Sequence, residues 1–460
     1  MESLTKNQQY TVTIEGYTSD GAGVCRIGGR AVFVKGVLLG EVWQIRIVKV
    51  SASAVYGKCE ILIQASPNRI PPACPQFGKC GGCDLMHMTY EEELRMKCAR
   101  VNDAIQRIGG LDFCVDGIIG AEQIDSYRNK AIYAVGTDKT GQPVTGFFRA
   151  RSHDVMPVER CQIQPELSDR AAACLRQWMT AHRIPAYNEQ TGRGTVRHLF
   201  VRCAMKTHDA MACIVTARGF GDKTQSLVDA LRKDCPELTS IVLCVNKTRG
   251  NTVLAGTFHT LWGQDGIEDS LCGLRFQLSP MAFFQINPPQ AERLYQQALD
   301  YASPDGDNTV LDLYCGAGTI TLCLARGAKR VIGAEIVPDA VENARANALR
   351  NGIDNAEFLC GDAAEAAAQL AARGLKPDTV VIDPPRKGLG DGVIDAIIKM
   401  APQRVVYISC DPGTLARDLK QFSNEGYLPQ RGMAFDLFPR CAHVETAVLV
   451  ERGTDCGLGG

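Results

Sequence analysis

Residues 309–318 read TVLDLYCGAG. A β-branched, apolar run that closes on Asp312 and then on two glycines is a buried strand turning sharply, and the following residues are a helical run. The same phrase recurs downstream. RVIGAEI (330–336) leads into VPDAVENARANALRNG, AEFLCGD (356–362) into an alanine-rich helix, VVIDPP (380–385) follows, and then RVVYISC (404–410). Apolar strands alternating with amphipathic helices specify a mostly parallel, doubly wound α/β sheet, a Rossmann-like arrangement.

Such sheets bind ligands beyond the carboxyl ends of their strands. Gly316 and Gly318 let the backbone approach a ligand closely, and the helix that follows offers free N–H groups. Glu335 closes the second strand, where a carboxylate can accept the hydroxyls of a ribose. A dinucleotide loop requires G-x-G-x-x-G, but the sixth position of GAGTIT is Thr321, so a nicotinamide dehydrogenase is excluded and a mononucleoside without pyrophosphate fits better. Three strands in a row end in acids (Glu335, Asp362 and Asp383), all on one rim. Asp383-Pro384-Pro385-Arg386 holds the backbone open there. The next strand ends in Cys410. Thiolate is the attacking form, and the helical run after Asp411-Pro412-Gly413-Thr414 is expected to lower the pKa of that thiol through its N-terminus.

Upstream, residues 127–280 alternate strand-like runs (KAIYAV, HLFVRCA, MACIVTA, SIVLCVN) with one helical run near 166–182, an α+β pattern. YEEELRMKCARVNDAIQRIGG reads as a helix ended by glycines. Residues 10–63 hold TVTIEGY, RAVFVKG, EVWQIRIVKV and YGKCEILI between turn segments, about five short strands that suit a small closed barrel of the oligonucleotide-binding type. The expected divisions are 1–66 (barrel), 67–280 (middle domain), 281–453 (Rossmann-like domain) and 454–460 (flexible tail). Near the start of the middle domain, Cys74-x5-Cys80-x2-Cys83 lies in a Pro/Gly-rich loop. A fourth thiol from elsewhere, Cys98 or Cys161, would complete a [4Fe–4S] or zinc site, and spacing does not separate the two.

Composition sets the class. The 460 residues are 45% hydrophobic and 22% charged, ordinary globular usage that excludes a disordered or collagenous chain. No apolar run nears the ~20 residues needed to span a bilayer, and the polar opening MESLTKNQQY is no secretory signal, so a soluble cytoplasmic protein without a membrane partner is expected. Most of the twenty cysteines are then reduced, and clustered ones suggest a metal or catalytic site. The net charge of -1 is uneven: the three segments carry +2, +3 and -6, which leaves the front two to grip a polyanion.

FFQIN (283–287), DLYCGAGT (312–319), DPPRKG (383–388), SCDPGTLARDL (409–419) and HVETAVL (443–449) together resemble the RNA uracil-5-methyltransferases, in particular the bacterial 23S ribosomal RNA branch. YRNKA, GFFRARSH and VRHLFVR are similar to that family's middle domain, so the resemblance covers most of the chain. It implies a class I methyltransferase domain, a TRAM barrel that binds RNA, and S-adenosyl-L-methionine as cofactor. It assigns the nucleophile to Cys410, the base to Glu445, and cofactor contacts to Gln285, Tyr314, Glu335 and Asp383. Asp362 and Thr319 are added candidates at positions where some relatives carry asparagine. It selects Cys161 as fourth ligand beside Cys74, Cys80 and Cys83, and iron–sulfur over zinc.

The expected activity is methylation of C5 of a uridine in 23S rRNA, through thiolate addition at C6, methyl transfer and base-assisted elimination. The chain is read as a monomer with RNA as partner. Two rivals are the same chemistry on transfer RNA, against which the barrel and cysteine cluster are taken to argue, and a non-catalytic RNA-binding protein with a vestigial pocket.

Overall fold

The computed structural model describes residues 4–150 and 152–453; the expected tail at 454–460 lies outside them. The front is a six-stranded sheet, one strand more than the sequence reading, of β1 (Gln9–Thr13), β2 (Gly16–Tyr17), β3 (Gly23–Ile27), β4 (Arg30–Val34), β5 (Val42–Val50) and β6 (Val55–Gln64), in the order β1-β5-β6-β4-β3-β2. Alternation delivers Val12, Cys25, Val32, Val34, Ile45 and Ile47 to its own core. The cysteine loop follows, then α1 (Tyr90–Ala104), which Thr89 caps by accepting the Glu92 N–H at 3.4 Å and which runs on into a π-helical turn, Ile105–Gly109, closed by Gly110 with φ 67°.

A short strand, β7 (Ile118–Ile119), precedes the middle sheet. That sheet comprises β8 (Lys130–Thr137), β9 (Pro143–Phe148), β10 (Val155–Pro157), β11 (Val196–Cys203), β12 (Ala210–Thr216), β13 (Leu238–Val245) and β14 (Thr257–Gly263), with α2 (Glu166–Ala181) and α3 (Thr224–Asp234). All its pairings are antiparallel except β12–β13, the pair that α3 crosses over. The sequence reading found α2 and missed α3, although Leu227, Val228 and Leu231 form its buried stripe.

After the hairpin β15 (Ile267–Leu271) and β16 (Leu274–Leu278) and helix α4 (Pro288–Ala302) comes the doubly wound sheet. Its elements are β17 (Thr309–Leu313), α5 (Thr319–Ala325), β18 (Arg330–Glu335), α6 (Pro338–Arg350), β19 (Ala356–Cys360), α7 (Ala363–Ala372), β20 (Thr379–Ile382), α8 (Val393–Met400), β21 (Arg404–Ser409), α9 (Pro412–Asn424), β22 (Tyr427–Phe435) and β23 (Glu445–Arg452). The order is β19-β18-β17-β20-β21-β23-β22-β7, parallel from β19 to β21 and antiparallel at β21–β23 and β23–β22. The antiparallel return places the start of β23 on the same rim as the carboxyl ends of the parallel strands. One core cluster joins β12 and β13 to α4, α5 and the sheet, so the middle segment packs directly on it. Among the described residues no helix is long and apolar enough to cross a membrane.

Candidate active site

The rim is assembled by register. Leu313 pairs with Ile382 and Ile382 with Tyr407, so Tyr314, Asp383 and the end of β21 leave the sheet side by side. Ser409 pairs with Thr446, and one step beyond that pair stand Cys410 and Glu445.

At the cofactor loop the chain is bent hard. Tyr314 has φ 68°, in the left-handed region, and its N–H and that of Cys315 both donate to the Ala334 carbonyl, at 2.9 and 3.1 Å. A Cβ on Gly318 would stand 3.0 Å from Ala344 and 3.1 Å from the Phe358 ring, so the loop closes there only with glycine. Glu335 accepts from the Gly316 N–H at 3.1 Å and the Val337 N–H at 2.9 Å. Asp362 caps α7 by accepting the Ala364 N–H at 2.9 Å and is exposed. Thr319 is the first residue of α5 and half-buried. Gln285 precedes α4; its amide N–H donates to the Tyr295 hydroxyl at 3.1 Å and its backbone carbonyl accepts from Asn129 at 2.8 Å.

Sequence reasoning passed over Asp312, which is fully buried and accepts the Thr321 hydroxyl at 2.5 Å. Burial pushes its carboxyl up to about 7. Thr321 therefore has a positive role at the position where a dinucleotide loop has glycine. The exposed Ile336 and Val337 beside Glu335, and Phe283, 69% exposed two residues before Gln285, were also missed. Their only signal was an apolar side chain next to a polar site residue.

The end of the rim that carries Cys410 and Glu445 has a different character. Glu445 is buried, 8% exposed, and its carboxyl is pushed up to about 8 by burial and then by Asp383, against the pull of Arg386. Asp383 is raised to about 7 by burial. Cys410 is half-buried, and burial, then Glu445 and Asp383, push its thiol up to about 11, with Arg386 opposing. The expectation that α9 lowers this thiol fails. Asp411 caps that helix, accepting the N–H groups of Gly413 at 2.9 Å and Thr414 at 3.0 Å, so the end of the dipole is already answered by a carboxylate.

The front cysteines meet away from the rim. Cys74, Cys80, Cys83 and Cys161 line one cavity of about 80 Å³, together with Phe77, Met86 and Arg128. Cys98 is not part of it and packs instead beside the core under the doubly wound sheet. Among the described residues, no group of three or more His, Cys, Asp or Glu side chains is arranged to hold a metal ion, so the metal expectation is met only as far as a shared, thiol-lined cavity.

The comparisons with known proteins follow this geometry. Residues 264–453 match the family model described as tRNA (Uracil-5-)-methyltransferase, and residues 4–59 match the TRAM domain. An uncharacterized RNA methyltransferase of Clostridium tetani is 39% identical over 447 residues, 97% of each chain. Another from Bacillus cereus is 41% identical over 98% of each chain. The chain belongs to the RNA uracil-5-methyltransferase family. It is an RNA methyltransferase with an N-terminal TRAM domain and a class I methyltransferase fold. Among solved structures, the tRNA (uracil-54, C5)-methyltransferase of Pyrococcus abyssi, bound to S-adenosyl-L-homocysteine, is 26% identical with a TM-score of 0.77. That match covers 96% of this chain and all of that one. A transfer-RNA enzyme thus shares nearly the full length, so the front segments do not by themselves separate ribosomal from transfer RNA.

Proposed function

We propose that this methyltransferase modifies C5 of a uridine in RNA, with 23S rRNA as its substrate. The observation that carries the chemistry is the juxtaposition, one register step past Ser409–Thr446, of a thiol and a buried carboxylate whose pKa is raised to about 8. In this reading the Cys410 thiolate adds to C6 of uracil, and the electron pair displaced onto O4 makes C5 nucleophilic. S-adenosyl-L-methionine, when bound, supplies the methyl group as an electrophile. Glu445 takes the C5 proton, the electrons of that C–H bond restore C5=C6, and Cys410 departs as thiolate. A carboxylate raised toward neutrality is matched to that task at cellular pH.

Glu335, with Gly316 and Gly318 behind it, suits the ribose, since each of its oxygens keeps a lone pair free beyond the N–H it accepts. Gln285, Tyr314 and Asp383 complete the cofactor site toward the reacting end, with Thr319 and Asp362 at its margin. The exposed Phe283 offers a ring on which an unstacked base can lie, as a uracil extruded from its helix requires. The TRAM match at 4–59 supports RNA binding by the front sheet.

At the cysteine cavity the donor set is all thiol and the walls are mostly apolar. A zinc ion needs four ligands converging about 2.3 Å from one point, whereas a [4Fe–4S] cluster takes one thiolate on each of four irons and so suits thiols spread around a cavity. Cys74, Cys80, Cys83 and Cys161 would hold the cluster, in a structural capacity, because methyl transfer moves no net electrons. Anaerobically purified protein is expected to absorb broadly at about 400 nm. Cys161→Ser removes that band and Cys98→Ser keeps it; the reverse pattern overturns the assignment.

A second reading, transfer RNA as substrate, is favoured by the full-length likeness to the Pyrococcus abyssi enzyme. Mapping 5-methyluridine in separated ribosomal and transfer RNA from a strain lacking the gene decides. Loss confined to 23S rRNA is expected, and loss confined to transfer RNA transfers the assignment.

A further inference from the structure

Glu445 is brought to the rim by the strap 436–444 between β22 and β23, and that strap is anchored by a helix far away in sequence. Lys97 of α1 has no exposed side-chain surface. Its ammonium donates to Glu93 at 2.7 Å, to Asp436 at 2.7 Å and to the Phe438 carbonyl at 3.1 Å, which uses all three of its protons. Asp436 also accepts the Phe438 N–H at 3.1 Å and the Tyr90 hydroxyl at 2.9 Å. Asp436 immediately follows Phe435, the register partner of Glu445.

The strap is also strained. Arg440 has φ 70°, uncommon for a residue with a side chain. Its N–H donates to Glu93 at 2.7 Å, and its carbonyl accepts from Asp84 at 2.8 Å and Leu85 at 3.0 Å. A strained residue persists only where its surroundings over-determine it. Here both polar backbone atoms are fixed, one by α1 and one by the end of the cysteine loop. A buried ion triad is a poor way to add stability compared with apolar side chains of similar volume. What it supplies is geometry: every ion points at the strap or at another ion that does.

We propose that Glu93, Lys97 and Asp436 form a positioning triad that fixes the strap and thereby aims Glu445 at the C5 proton; the triad's role rests on Glu445 being that base. None of the three touches substrate, so they act through the strap. Loss of the triad therefore slows elimination and leaves cofactor binding unchanged.

The test follows a methyl-labelled RNA–protein adduct on denaturing gels, with S-adenosyl-L-homocysteine binding measured by calorimetry, for Lys97→Met, Asp436→Asn, Glu445→Gln and the double variant Lys97→Met/Glu445→Gln. Expected are trapped methylated adduct in all four and turnover of Lys97→Met and Asp436→Asn lower by on the order of 10–100-fold, the cost of an ångström-scale misplacement. Binding should stay within about twofold, and Lys97→Met should add nothing once Glu445 is gone. Adduct in Glu445→Gln but in neither triad variant overturns the positioning role alone. So does cofactor binding that falls in step with turnover, the mark of a merely structural triad. If Lys97→Met does not fold, Asp436→Asn, which keeps shape and one acceptor, carries the test. No adduct in Glu445→Gln removes both the base and this inference.

Discussion

The two ends of one rim use the same side chains to opposite effect. At the end assigned to the ribose in the proposed function, Glu335 and Asp362 are met by backbone N–H groups, two for Glu335 and one for Asp362. At the Cys410 end, Glu445 is buried and Asp383 half-buried, neither finds a side-chain hydrogen-bond donor among the described residues, and their carboxyls are raised to about 8 and 7. The difference is one of hydrogen bonding and desolvation, not of residue type. Carboxylates with donors suit fixed recognition of hydroxyls. Carboxylates without them, set against one another, exchange protons near neutral pH. Cys410 lies at the second end, facing both raised acids.

The largest effect that follows is on Cys410. If the reacting end performs covalent chemistry and the ribose end only binds, Cys410→Ala lowers methyl transfer by roughly four or more orders of magnitude, as loss of a nucleophile does. Cofactor affinity measured by calorimetry stays within about twofold. Glu335→Gln should give the converse, weaker cofactor binding with the covalent adduct still formed at saturation. Equal loss of binding in both variants would erase the distinction between the ends.

Arg386 sharpens the comparison further. It is the cation that opposes the rise of both Cys410 and Glu445. Removing it leaves Asp383 unanswered, so both groups hold their protons to higher pH. The acid limb of kcat/KM, to which in this reading the ionisations of both Glu445 and Cys410 contribute, moves alkaline in Arg386→Met. A limb that stays in place, or moves acidic, would show that Arg386 does not face these groups in solution.

Much of this was readable in the sequence because a parallel sheet converts chain order into geometry. Each apolar run ends where its strand ends, so Glu335, Asp362, Asp383 and Cys410 were assignable to one rim from the sequence, while Tyr314 was named only through the family resemblance. Asp411-Pro412-Gly413-Thr414 also carried its own correction, since an aspartate before a proline is the signature of a capped helix. Contacts that no local pattern encodes were illegible. Lys97 stands among five charged neighbours in EEELRMKCAR, where a solvated helix face is the natural reading. It is buried because a strap 339 positions downstream in sequence covers it. The choice of Cys161 over Cys98 likewise came from family resemblance, and the tertiary contacts that bring Cys161 to the cavity are ones that spacing does not contain.

The smallest expected effect tests the enclosed carboxylates without any substrate. Glu445 is raised from an ordinary value of 4.5 to about 8, so between those values the folded protein binds more protons than the unfolded chain. Stability must then fall as pH rises through that window, because ionising the buried group is penalised only in the folded state. Glutamine keeps the shape and cannot ionise. Glu445→Gln should therefore melt on the order of a few degrees above the parent protein at pH 9, with the gain shrinking to nothing or reversing near pH 5, where both side chains are neutral in the fold. Glu335→Gln, at the hydrogen-bonded end, instead exchanges one of its two N–H acceptors for a donor. A melting difference for Glu445→Gln that is constant from pH 5 to pH 9 would mean that burial does not penalise its ionisation, and that the contrast between the two ends of the rim fails.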